Sequence, residues 1–190
     1  MIYGHGDDLF KYNNVEINFS TNIFNHFSHS RLFAFLASNL EAITSYPEPT
    51  PISLEKAIAA RLGIETDCIM ATNGATEAIY LIAQSLSDKV VHIVQPTFAE
   101  YADACMIYGC ETRSISSLEG IGSLGNKDAV WLCNPNNPTG SAMDYDSLYN
   151  IINSNPRTVF IIDQSYSAYT EKRTIRAEDA VKLGNVLLIS

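Results

Sequence analysis

Side chains able to do chemistry gather where predicted strands end. An apolar run, Ala129–Val130–Trp131–Leu132–Cys133, passes straight into Asn134–Pro135–Asn136–Asn137–Pro138 and then Thr139–Gly140. Proline fixes φ, removes a donor and pushes the preceding residue out of the helical region, so this loop is stiff and presents Asn137 in one extended pose. A rigid surface turn would account for the loop by itself. A second apolar run, 158–163, closes on Asp163, with the phenol of Tyr166 three residues on. A buried carboxylate is costly unless a cation or strong donor meets it, although an Asp here can also cap a helix. Upstream, the segment 72–78 gives Gly74 a tight turn and leaves the N–H groups of Ala75 and Thr76 at a helix start. Those donors, the helix dipole and the Thr76 hydroxyl suit an anion; simple N-capping is the plainer account. Phe98 follows the predicted strand 89–95 and sets an aromatic ring at the mouth of the sheet, where core packing alone would also place it.

Together these groups are more specific than apart. A phosphate cradle, an aromatic plate, an amide, a carboxylate and a phenol on one crevice suit a flat, phosphorylated heteroaromatic cation, pyridoxal 5′-phosphate. An Asp facing the ring nitrogen keeps it protonated, which the cofactor needs to accept electrons. An amide and a phenol can hydrogen-bond the ring's 3′-oxygen, and an aromatic face can stack on the ring.

The elements that must position these groups alternate along the chain. The apolar spacing predicts helices over 30–43, 53–63, 76–86, 96–109 and 144–154, with Ser53 as a cap and Gly63 and Gly109 as stops. Strands are expected around Cys68–Ala71 and over 89–95, 111–117, 128–133, 158–163 and 185–190. Strands alternating with helices, several of them apolar throughout, imply an α/β fold with a mostly parallel sheet sandwiched by helices. The Gly/Ser-rich stretch 117–127 reads as a surface loop. A chain of 190 residues suggests one domain with a real core.

Composition excludes several function classes. With 46% hydrophobic and 17% charged residues the chain is globular rather than disordered. A net charge of −9 argues against nucleic acid or an anionic membrane as partner. It leaves room for a phosphorylated small molecule held by backbone N–H groups. Cys68, Cys105, Cys110 and Cys133 form no CxxC pair and no zinc spacing, so reduced thiols and no metal are expected. The N-terminus lacks the basic and apolar run of a signal peptide, and no apolar stretch is long enough to span a bilayer, which points to a cytoplasmic protein.

"CNPNNPTG" followed by "IIDQSY" resembles the fold-type I pyridoxal-phosphate enzymes, the class I/II aminotransferases. The resemblance implies that Asn137 and Tyr166 contact the cofactor's 3′-oxygen, Asp163 its pyridine nitrogen and Phe98 its ring face. Gly74, Ala75, Thr76 and Ser190 would hold its phosphate. Tyr46, in "SYPEP", resembles a tyrosine that reaches the neighbouring subunit's cofactor, implying a homodimer. "YGHGDD", "INFSTNI" and "PTFAEY" are most similar to the L-threonine-O-3-phosphate decarboxylases of cobalamin biosynthesis, cousins of histidinol-phosphate aminotransferases. By that likeness His5, Gly6 and Asn22 would touch the substrate together with Asn137. "HGDD" departs from the usual His-Gly-Gly, and "NIFNHF" lacks the usual proline. In the family the Schiff-base lysine falls three positions past the equivalent of Ser190, followed by a carboxylate-binding arginine and a small domain. The expected layout is therefore an arm and helix over 1–45 and an incomplete cofactor-binding domain over 46–190, the front part of a longer enzyme. Histidinol-phosphate transamination is the second reading, and a non-catalytic α/β binding or dimerisation module is a third. A plain nucleotide-binding domain is disfavoured because no GxGxxG follows a strand.

Overall fold

The computed structural model describes residues 11–18, 22, 27–119, 121 and 124–190. Five strands form one parallel sheet in the order β2-β1-β3-β4-β5. They are β1 (Val90–Val94), β2 (Glu111–Ile115), β3 (Asp128–Cys133), β4 (Val159–Asp163) and β5 (Val186–Ile189). β3 and β4 are apolar on both faces because helices cover both, as the continuous hydrophobic runs required. One face packs Ala129, Trp131, Cys133 and Ile161 against α3 (Gly74–Ser85) and α4 (Glu100–Ile107). The other packs Val130, Leu132, Phe160 and Ile162 against α5 (Tyr145–Ser154) and the α6 segment (Ala177–Leu183). Asp144 caps α5, its Oδ1 accepting the Ser147 N–H at 3.0 Å.

Sequence expectation and structure part in five places. The stretch Cys68–Ala71 is no strand: a 3₁₀ turn covers Thr66–Cys68, and residues 69–71 pair with no described strand. The predicted helix 30–43 breaks at Asn39 into α1 (Ser30–Ser38) and a 3₁₀ turn over Leu40–Thr44. α2 (Ile52–Leu62) starts one residue before Ser53, whose N–H and hydroxyl donate to Glu48 instead of capping the helix. Gly63 does end α2, at φ 70°, a left-handed conformation that glycine adopts without strain. α4 begins at Glu100, so Phe98 sits in the turn before it. The 117–127 loop carries one core residue, Leu118, which is buried.

The connections leave β1 and β3 in opposite directions. The chain runs from β1 through α4 to β2 on one side, and from β3 through α5 to β4 on the other. Adjacent strands whose connections diverge open a crevice at their carboxyl ends, where ligands bind in open α/β sheets. Asn136 spans that crevice. Its Oδ1 accepts from the Thr97 hydroxyl at 2.9 Å. Its Nδ2 donates to the Pro96 carbonyl at 2.9 Å and to Thr139 Oγ1 at 2.8 Å. Asn134, buried, accepts the Met143 N–H at 2.8 Å. Two of the three loop asparagines are thus spent on the loop itself.

At the other end of the sheet, His92 is a buried ring in an apolar strand, 2.8 Å from Asp128 Oδ1. Asp128 Oδ2 accepts the Gly125 N–H at 2.8 Å, which ties the 117–127 loop to β3. The hydrogen bond from His92, then the Gly125 N–H and the charge of Arg113, hold the Asp128 carboxyl below its ordinary range.

Two predictions follow from these anchors. Asn136→Ala should cost about 1–3 kcal/mol of stability in urea unfolding, because it strands several partners, whereas Asn137→Ala should cost well under half as much. Equal losses would show that the two amides are not divided in this way. A carboxyl held low in the fold adds stability that is complete above its ordinary value of 3.8 and is lost as pH falls below it. The stability gap between wild type and Asp128→Asn should therefore be largest near neutral pH and shrink as pH falls from about 5 to about 2. A pH-independent gap would contradict the assignment.

Candidate active site

Asp163 closes β4 beside Cys133 of β3 and Ile189 of β5. Its parity along the strand turns it to the α3/α4 face, where it is 4% exposed. Oδ2 accepts from the Tyr101 hydroxyl at 2.8 Å and Oδ1 from the Ser165 N–H at 2.9 Å. No cation pairs with it among the described residues. A buried carboxylate with two neutral donors and no counter-ion can accept a positively charged group.

The other predicted residues assemble in part, and the cleft that holds Asn137, Tyr166 and Asn22 does not have Asp163, Phe98 or Ser190 in its walls. Asn137 lines a cleft of about 360 Å³ with Asn22, Pro135, Gly140, Tyr166 and Tyr169. Its amide makes no hydrogen bond to a described residue, unlike those of Asn134 and Asn136. Asn22 Nδ2 donates to Tyr166 Oη at 2.9 Å. With its oxygen so engaged, the Tyr166 hydroxyl is left to donate its own proton elsewhere. Phe98 is half-buried and meets Tyr101 edge-on, ring centres 5.8 Å apart. Ser190 is exposed one residue beyond Ile189, whose carbonyl accepts the Gln164 N–H next to Asp163.

The turn before α3 differs from the expected cradle. Gly74 has φ +83°, as a tight turn requires, but its N–H is taken by the Thr72 carbonyl at 2.9 Å. The Glu77 carboxylate accepts the Asn73 N–H. The N–H groups of Ala75 and Thr76 have no acceptor among the described residues, so they are the donors an anion would find. Ala75 packs against the cluster that contains Tyr101 and Cys133, which places this helix start on the Asp163 side of the sheet.

Two sets of predicted site residues are not joined to this group. Tyr46 is fully exposed, on the segment between α1 and α2, away from the Asp163 cluster of its own chain. His5 and Gly6 lie outside the described residues. Sequence reasoning also missed Tyr101, Tyr169 and Thr170. Tyr101 was findable: it lies three residues after Phe98, the spacing that puts two side chains on one side of a helical turn.

The chain resembles several known proteins. Histidinol-phosphate aminotransferase 1 of Bacillus cereus is 31% identical over 162 residues, 76% of this chain and 44% of that protein. The crystal structure of L-threonine-O-3-phosphate decarboxylase from Porphyromonas gingivalis superposes with a TM-score of 0.83 at 35% identity, covering 88% of this chain and 52% of that one. Histidinol-phosphate aminotransferase from Sinorhizobium meliloti, in complex with pyridoxal-5′-phosphate, gives a TM-score of 0.70 at 20% identity, over 85% of this chain and 47% of that one. At that identity the likeness is one of fold alone. The chain spans about half the length of the relatives it matches. Residues 15–188 match the profile described as aminotransferase class I and II, and the chain belongs to that family.

Proposed function

We propose that this chain supplies the cofactor-binding part of a pyridoxal-phosphate enzyme that decarboxylates L-threonine O-3-phosphate. The observation that carries the cofactor is Asp163, a buried carboxylate with two neutral donors and no cation among the described residues. A protonated pyridine nitrogen supplies the missing charge. When bound, pyridoxal phosphate provides an electron sink for the bond broken at the substrate's Cα. Asp163 would hold the proton on the ring nitrogen, Asn137 and Tyr166 would donate to the ring's 3′-oxygen, Phe98 would cover the ring face, and Gly74, Ala75, Thr76 and Ser190 would hold the phosphate. The free N–H groups there are those of Ala75 and Thr76.

The substrate assignment leans on the decarboxylase from Porphyromonas gingivalis, which is 35% identical to this chain. His5, Gly6 and Asn22 grip the substrate's far end, where a phosphate gives a strong handle. Such a grip would orient the substrate's Cα and so bear on whether carbon dioxide or a proton is lost. The 31% identical histidinol-phosphate aminotransferase 1 favours transamination of a related phosphorylated substrate as the second reading.

A second copy of the chain completes the site through Tyr46. Residues 1–45 act as an arm toward that copy, and the chain from 46 onward as the cofactor-binding domain. Leu32, Phe33, Phe35 and Leu36 of α1 are all more than half exposed, an apolar surface suited to the partner subunit. The four free thiols agree with a reducing, cytoplasmic setting.

Incubating the complete protein with L-threonine O-3-phosphate should release carbon dioxide. Glutamate formed from 2-oxoglutarate with histidinol phosphate, without carbon dioxide from the first substrate, would reverse the choice. Asp163→Ala should lower turnover by about two orders of magnitude or more with the fold retained; near-normal turnover would remove the cofactor assignment. Tyr46→Phe should weaken pyridoxal-phosphate binding by about threefold to tenfold, the loss of one hydrogen bond to a charged group discounted for exposure. Unchanged affinity would argue against a shared site.

A further inference from the structure

The hydroxyl of Tyr101 has no place in the roles given so far, yet it makes the side-chain hydrogen bond to Asp163. Tyr101 is fully buried, and its ring is held on two sides. Trp131 stacks on it with centroids 5.1 Å apart and planes 21° from parallel. Phe98 meets it edge-on at 5.8 Å and 81°. The indole N–H of Trp131 finds no hydrogen-bond partner among the described residues, so that side chain acts here through its face. The clamped ring sets its hydroxyl 2.8 Å from Asp163 Oδ2, with the Cys133 thiol also in reach of the phenol oxygen. Burial, and then the Asp163 charge, push the phenol well above its ordinary range, so it stays a donor.

We infer that Tyr101 is a positioning residue for the cofactor's ring nitrogen, fixing the Asp163 carboxylate and tying it to the Phe98 plate. This rests on the cofactor reading above. With Ser165 N–H on Oδ1 and the Tyr101 hydroxyl on Oδ2, the carboxylate cannot rotate without breaking a buried hydrogen bond. The same phenol bears on Phe98, so the acceptor at the ring's edge and the surface for its face are set by one rigid group.

The test compares two probes on the complete protein: pyridoxal phosphate and its 5-deaza analogue, in which a C–H replaces the ring nitrogen. Dissociation constants are measured by absorbance titration for wild type, Asp163→Ala, Tyr101→Phe and the double variant. Wild type should prefer pyridoxal phosphate, and Asp163→Ala should abolish that preference. Tyr101→Phe should reduce it by about tenfold, the scale of a hydrogen bond to a charged group, and add nothing in the Asp163→Ala background. A Tyr101 variant carrying 4-aminophenylalanine keeps volume and donor, and should retain the wild-type preference whether or not Tyr101→Phe folds. If wild type shows no preference, or Asp163→Ala keeps it, the cofactor reading fails and this inference with it. If those two behave as expected while Tyr101→Phe matches wild type, weakens both probes equally, or 4-aminophenylalanine loses the preference, the cofactor reading stands and the role of Tyr101 is overturned.

Discussion

Asp163 ends β4 as the one charged side chain of a strand otherwise made of Val, Phe and Ile, and it stays almost wholly out of water. Desolvating a carboxylate costs several kcal/mol unless polar partners meet it. The surrounding structure is arranged to meet that cost in part and to leave one direction open. Tyr101 comes down from α4, Ser165 turns its N–H back from the following loop, and the Asp163 carbonyl accepts the Asn134 N–H from β3. Parallel pairing puts Cys133 and Ile189 on either side, so the ends of three strands are locked to one height. Phe98, Asn137, Tyr166 and Ser190 all hang from elements that this edge aligns.

Much of this was legible because its causes are local. Continuous apolar runs bounded by turn residues mark strands buried on both faces, and β3 matches its predicted span, Asp128–Cys133. The Asn/Pro loop announced stiffness through proline chemistry alone. What sequence could not resolve was the division among its asparagines. Asn136 and Asn137 are adjacent and chemically identical; only the approach of Thr97 and Pro96 from β1, about forty residues away, decides which amide is consumed. Cys68–Ala71 has strand-like residues, but a ladder needs a neighbour, and none of the described strands lies beside it. A tyrosine in a helical segment, as Tyr101 is, reads as core. Core it is, with its hydroxyl on a residue 62 positions later.

α1 shows the opposite failure of local reasoning. Its apolar spacing predicted a helix correctly, and periodicity normally also predicts what a helix covers. Yet Leu32, Phe33, Phe35 and Leu36 all stay more than half exposed. Pattern specifies a stripe of apolar residues and says nothing about whose surface it meets.

The division among the loop asparagines bears on how such a site can change over time. Asn134 and Asn136 hold the backbone, and Thr170 accepts the Lys172 N–H, while the side chains of Asn137 and Tyr169 face the cleft. Replacements at 169 therefore act on whatever occupies the cleft and spare the scaffold, so what the cleft accepts can drift through that position under weak selection. Positions 134 and 136 have no such latitude. A library that randomises 169 explores new chemistry from a folded starting point, and one that includes 136 mostly explores unfolding.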